Sequence, residues 1–165
     1  MNMRAGIITV SDRSSQGLRP DASGPALGKM LAAESIEICQ TIIVPDEKQE
    51  IKQAIINLAD NEKVDLILTT GGTGVSPRDV TPDATIEVIE KQIPGMAEVM
   101  RRESSRVTPH AMISRAIAGI RGSSLIINLP GSPKGATENL ASIIPAVKHA
   151  IEKIKGDTSE CATAS

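Results

Sequence analysis

Short aliphatic runs alternate along this chain with longer stretches of helical spacing, and three of the runs break directly into loops of glycine, serine or acid. These loops read Ser11-Asp12-Arg13-Ser14-Ser15-Gln16-Gly17, Gly71-Gly72-Thr73-Gly74 and Pro130-Gly131-Ser132-Pro133-Lys134, and each leads into a helical pattern. Repetition of strand, loop and helix predicts an α/β fold, with helices laid on a mostly parallel sheet. In such a sheet the three loops leave by the same carboxyl edge, where open α/β folds place ligands, so they are able to share one site. Predicted strands cover 5–10, 37–44, 64–70 and 125–129, and a short one over 118–121 pairs with the last through the Gly122-Ser123 turn. Helical spacing covers 24–34, 47–61, 83–92, 94–105, 109–116 and 134–154, with Pro145 expected to split or kink the final stretch.

At 165 residues the chain has the length of one domain, expected over 1–155, followed by a polar, aperiodic tail over 156–165 that is expected to be flexible. It contains no Phe, Tyr or Trp, so its core must be built from Ile, Leu, Val, Ala and six Met. Without rings to stack on bases or enclose a flavin, single-strand nucleic-acid modules and flavodoxin-like carriers are poor fits. A receiver-like signalling module fits no better, because Thr69-Thr70 ends the strand where such a module carries its phospho-accepting Asp. Net charge is −2, so the chain lacks the basic excess of a nucleic-acid binder and any anion site must be local. Cys39 and Cys161 form no paired motif, which fits a reducing compartment. The apolar run at the N-terminus is too short for a signal peptide, and no stretch has membrane-spanning length, so a cytoplasmic protein without a membrane partner is expected.

The glycine loop has two readings: a tight turn out of its strand, or a backbone cradle whose N–H groups approach phosphate oxygens. It matches neither the spaced-glycine dinucleotide fingerprint nor the P-loop, and Gly24-Pro25-Ala26-Leu27-Gly28-Lys29-Met30 fails as a P-loop too. In the third loop Ser132 is placed to cap a helix, Pro133 to occupy its first position and Lys134 to add positive charge, an arrangement that also suits an anion. The first loop adds hydroxyls and Arg13. Asp46, Asp79 and Asp83 lie close to these loops, and acid beside phosphate makes chemical sense if a magnesium ion lies between them. Asp46 and Asp83 are also well placed to serve the starts of helices, whereas Asp79 has no such local reason. His110 and His149 read as surface or packing residues, and no Gly-x-Ser-x-Gly elbow is present for a serine hydrolase.

Several ordered motifs carry a resemblance: Thr9-Val10-Ser11-Asp12-Arg13, Asp21-Ala22-Ser23-Gly24-Pro25, Val44-Pro45-Asp46-Glu47, Thr69-Thr70-Gly71-Gly72-Thr73-Gly74, Arg78-Asp79-Val80-Thr81-Pro82-Asp83-Ala84-Thr85, Pro94-Gly95, Ser114-Arg115 and Asn128-Leu129-Pro130-Gly131-Ser132-Pro133-Lys134. Together, from about Arg4 to about Ile154, they resemble the molybdopterin adenylyltransferase family of molybdenum cofactor biosynthesis, the MogA/MoaB type that also includes the G domain of gephyrin. The resemblance implies a three-layer α/β/α sandwich of the molybdopterin-binding kind, commonly a homotrimer. It also implies transfer of AMP from ATP to the terminal phosphate of molybdopterin, with Mg²⁺ as cofactor and release of pyrophosphate. Asp46 and Asp79 match the family's two catalytic acids and would hold the Mg²⁺. Gly71, Gly72, Thr73 and Gly74, with Ser11 and Asp12, fall at the nucleotide, and Ser114, Arg115, Pro130, Gly131, Ser132 and Lys134 fall at the pterin and its phosphate. Hand-over of the product to the molybdate-insertion enzyme is implied as well. A non-catalytic molybdopterin carrier of the MoaB type is the alternative, and the presence of both acids favours the enzyme.

Overall fold

Aliphatic residues with no polar alternation should form strands covered on both faces. Such strands stand at the centre of the fold, where β3 (Leu66–Thr70) and β6 (Ser124–Leu129) are buried along their whole length. This computed structural model describes residues 2–158. The other strands are β1 (Met3–Val10), β2 (Ile36–Val44), β4 (Lys91–Gln92) and β5 (Ala118–Arg121), and the six form one sheet in the order β2-β1-β3-β6-β5-β4. β2, β1, β3 and β6 pair in parallel, whereas β5 and β4 continue the sheet antiparallel.

Helices cover both faces. Ile7, Leu66, Leu68, Leu125 and Ile127 meet α2 (Ser23–Ala33), α5 (Pro94–Ser105) and α6 (Pro133–Ile154) through Leu27, Leu31, Met100, Leu140 and Val147. On the opposite face Ile8, Val10, Ile67 and Ile126 meet α3 (Lys48–Ile56) and α4 (Thr81–Val88) through Ile51, Ile55, Ala84 and Val88. Side chains alternate across a strand, so neighbouring residues of β1, β3 and β6 feed the two aliphatic layers in turn. The three-layer α/β/α arrangement expected from the sequence is present, and its core contains no ring.

Several boundaries differ from the expected ones. The stretch 83–92 is not one helix: α4 starts at Thr81 and stops at Val88, and β4 then pairs with β5. Ile89 turns extended at ψ 152°, and Pro94 disfavours helical backbone at Ile93, so the segment between them joins the sheet edge. The stretch 109–116 shortens to a 3₁₀ segment over Pro109–Ile113 that buries no residue. α3 ends at Ile56 and passes into a π turn over Asn57–Asn61. α1 (Asp12–Ser15) is a single turn within the expected loop, capped by Ser11 Oγ accepting from the Ser14 N–H. α6 runs through Pro145 without a break. Pro145 and Ala141, whose carbonyl lacks its usual partner, are both exposed, so water is able to satisfy that carbonyl. Among the described residues no helix is long and apolar enough to cross a membrane. The expected tail, 156–165, lies outside the described residues from 159 onward.

One fully buried polar side chain ties the sheet to the helix below the glycine loop. Asn128 Nδ2 donates to Thr69 Oγ1 at 2.9 Å and to Thr85 Oγ1 at 3.0 Å, and Asn128 Oδ1 accepts from the Ile117 N–H at 3.3 Å. Asn128→Ala strips a partner from two buried hydroxyls and from one partly buried N–H, and is expected to destabilise the fold by about 1–3 kcal/mol, measured by denaturant unfolding.

Candidate active site

Parallel pairing of β1, β3 and β6 sends their three following loops out at one edge, and hydrogen bonds then bind the loops together. Thr70 Oγ1 donates to the Pro130 carbonyl at 2.6 Å, and the Gly71 N–H donates to the Leu129 carbonyl at 3.0 Å. Ser23 Oγ, at the start of α2, donates to the Gly131 carbonyl at 2.7 Å. Thr81 holds the glycine loop from α4, its Oγ1 donating to the Gly71 carbonyl at 2.9 Å and its N–H to the Gly72 carbonyl at 3.1 Å.

Glycine is required here on two grounds. Gly71 and Gly72 have φ of +104° and +65°, in the region that disfavours other residues. A Cβ on Gly72 would also stand 2.4 Å from Thr81 Oγ1 and 3.1 Å from Asp46 Oδ1. The Gly71 N–H is committed to Leu129, but those of Gly72, Thr73 and Gly74 donate to no group among the described residues. Successive unpaired N–H groups on a tight turn suit an anion.

The acids are arranged around this loop. Asp46 does not cap α3, whose N-cap is Glu47 without a side-chain bond. Asp46 and Asp12 instead bond each other reciprocally: the Asp12 N–H donates to Asp46 Oδ2 at 2.9 Å and the Asp46 N–H to Asp12 Oδ1 at 3.0 Å. Arg78 donates to both oxygens of Asp12, at 3.1 and 2.9 Å, and its Nη1 lies 2.9 Å from Glu47 Oε1. Arg78 first, and the Asp46 N–H second, hold the Asp12 carboxyl below the usual range. The Asp46 carboxyl moves the other way: burial raises it, the Asp12 N–H opposes that, and the negative charges of Asp12 and Asp79 raise it further. Asp79 has a local role after all, because its Oδ2 accepts from the Ser76 N–H at 3.0 Å. The same oxygen would stand 2.8 Å from a Cβ on Gly74. Asp83 pairs with Arg115, which holds its carboxyl below the usual range.

Two cavities adjoin at the edge. The first, of about 410 Å³, is lined by Ser11, Asp46, Gly71, Gly72, Gly131 and Ser132, with Arg19, Asp21 and Ser23. The second, of about 280 Å³, is lined by Thr73, Gly74, Ser114, Pro130 and Ser132, with His110, Val107 and Ile113. Ser132 borders both and caps α6 as expected, accepting from the Gly135 N–H at 3.1 Å. The residues assigned by resemblance to nucleotide and pterin do not separate by cavity, since each cavity draws on both sets. Asp12, Asp79, Arg115 and Lys134 line neither. Lys134 is mostly exposed beside Glu138.

Arg19 carries no signal in the sequence, and Asp21 appears there only as the first residue of the Asp21-Ala22-Ser23-Gly24-Pro25 motif, without a site role. It is Arg19, not Arg13, that brings positive charge to the first cavity. Asp21 accepts from Thr9 Oγ1 at 2.8 Å and from the Gly24 N–H at 3.0 Å, fixing that connection to β1. Its signal was present in the spacing of Asp21 to Gly24, that of a helix cap. Among the described residues no cluster of three or more His, Cys, Asp or Glu is able to hold a metal by itself.

Residues 6–149 match the family described as "Probable molybdopterin binding domain". The chain is 42% identical over 154 residues to a molybdopterin adenylyltransferase of Helicobacter pylori (strain ATCC 700392 / 26695), covering 92% of this chain and 88% of that protein. It is 46% identical over 156 residues to gephyrin of Dictyostelium discoideum, covering 88% of this chain and 22% of that longer protein. The crystal structure of the molybdopterin biosynthesis enzyme MoaB from Thermus thermophilus superposes with a TM-score of 0.89 at 47% identity, covering 94% of this chain and 98% of that one.

A carboxyl raised in the folded state weakens the fold as pH rises through the interval from its unfolded value, 3.8, to its folded one, and costs nothing below that interval. Asp46→Asn keeps an oxygen for the Asp12 N–H and removes the charge. In the absence of divalent cations the variant is expected to melt above the parent protein at neutral pH, with the gap closing as the pH falls below the aspartate range. Melting curves of both proteins across pH check this.

Proposed function

The chain belongs to the molybdopterin-binding domain family, and from that premise we infer that it is a molybdopterin adenylyltransferase of molybdenum cofactor biosynthesis. It moves AMP from ATP to the terminal phosphate of molybdopterin and releases pyrophosphate. The observation that carries this reading is that Asp46 lies close to Gly72 and Asp79 close to Gly74 on a loop with three unpaired N–H groups, where two cavities share Ser132.

The attacking phosphate is already an anionic nucleophile at neutral pH, so no strong general base is needed. The difficulty is bringing two anions together with the α-phosphorus in line with its leaving group, which makes positioning and charge stabilisation the main work. On this reading the two substrates occupy the two cavities and their phosphates meet over Gly72, Thr73 and Gly74. The N–H groups of these residues and Arg19 receive the phosphate oxygens. Asp46 and Asp79 would hold Mg²⁺ between them, and the ion, when bound, neutralises phosphate charge. The crowding of Asp46 by Asp12 and Asp79 supports that fit, because the excess negative charge invites a cation. The protein works in the cytoplasm as a homotrimer, with residues 1–155 as its catalytic unit, and passes its product to the molybdate-insertion enzyme.

Incubation of the purified chain with ATP, Mg²⁺ and molybdopterin is expected to give adenylylated molybdopterin by mass spectrometry. Tight pterin binding without product would select the carrier function instead. Asp79→Asn is expected to retain pterin affinity in equilibrium binding and to lose AMP transfer, and unchanged turnover would remove Asp79 from the mechanism.

A further inference from the structure

The loop that carries Asp79 is exposed from Val75 to Arg78 and has few anchors. Within Thr73 to Asp79, the main chain bonds to itself through Asp79 N–H to the Ser76 carbonyl at 2.9 Å. Among the described residues, every hydrogen bond that reaches its main chain from another segment comes from one residue, Arg115. The Arg115 N–H donates to the Thr73 carbonyl at 2.8 Å, Nε to the Gly74 carbonyl at 2.8 Å, and Nη2 to the Asp79 carbonyl at 2.5 Å. Nη1 and Nη2 also donate to the Asp83 carboxylate at 3.2 and 3.0 Å, which fixes the plane of the guanidinium.

Arg115 is itself held from behind. Arg101 of α5 donates from Nη1 to the carbonyls on either side of it, those of Ser114 at 3.4 Å and Ala116 at 2.7 Å. A packed helix thus supports a short segment, and that segment supports the loop. Its charge is paired with Asp83, and it binds the Asp79 carbonyl, not the carboxylate, whose Oδ2 accepts from the Ser76 N–H.

We propose that Arg115 is a positioning residue for adenylyl transfer: it sets the path of Thr73 to Asp79, and with it the place of the Asp79 carboxylate, without touching either substrate. This departs from the pterin contact that the resemblance implies for Arg115, and it rests on the reading of the protein as an adenylyltransferase. Only a planar fork reaches two carbonyls and a carboxylate together, so lysine is a poor replacement.

The test compares the parent protein with Arg115→Ala and Arg115→Lys under ATP, Mg²⁺ and molybdopterin, following product by mass and pterin affinity by equilibrium binding. Misplacing a reacting group by about 1 Å costs on the order of 100-fold, so kcat of Arg115→Ala should fall by about that factor while KM values and pterin affinity stay near those of the parent. Arg115→Lys should recover a small part of the loss, and it carries the comparison if the alanine variant fails to fold. Low guanidinium chloride should raise kcat of Arg115→Ala and leave Asp79→Asn unchanged. Hydrogen exchange at Ser76 and Asp79 should quicken in the arginine variants while that of β3 stays slow. Weakened pterin binding with kcat intact would make Arg115 a ligand contact and overturn the proposal, as would full activity in both variants. A parent protein that makes no product overturns the enzymatic reading itself, and the positioning role falls with it.

Discussion

Parallel pairing of β1, β3 and β6 is the constraint from which the rest of the molecule follows. Parallel strands cannot be joined by tight turns, so the connections between them cross over, and the helices in those connections, with α6 after β6, cover both faces of the sheet. The same geometry delivers the ends of all three strands to one edge. Once there, the loops are joined by short polar contacts, Thr70 to Pro130, Ser23 to Gly131 and Thr81 to Gly71 and Gly72. The aliphatic layers therefore do more than stabilise: they hold the backbone from which those hydroxyls reach.

Charge at the edge is distributed unevenly. Arg78 is engaged with Asp12 and Glu47, and Arg115 with Asp83, so these cations serve the framework. Asp46 and Asp79 have no basic side chain bonded to their carboxylates among the described residues. A site left with uncompensated acid is less stable than it could be, a familiar trade between stability and activity. In the proposed reaction that acid would hold the counter-charge that two anionic substrates require.

Much of this was legible in the sequence. The aliphatic runs at 64–70 and 125–129 marked the central strands because burial on both faces leaves no polar alternation to confuse the reading. The loops were legible because glycine and serine interrupt these runs abruptly. What escaped depended on contacts between distant segments. The 83–92 stretch has helical spacing, and only pairing with β5 and the restriction from Pro94 turn its end into a strand. Asp46 looked like a helix cap because Glu47 follows it, and its bond with Asp12 spans 34 positions. Asp79 seemed to lack a local role because a turn closed by Ser76 cannot be seen without the loop's path. Arg115 carried no sign of its partners, which lie 32 to 42 positions away.

The ring-free core has an optical consequence. With Phe, Tyr and Trp all absent, the folded chain is nearly transparent in the near ultraviolet and has no intrinsic fluorescence of its own. Any absorption or emission in that window belongs to the adenine or the pterin, so the protein is a dark background against which each guest reports its own arrival.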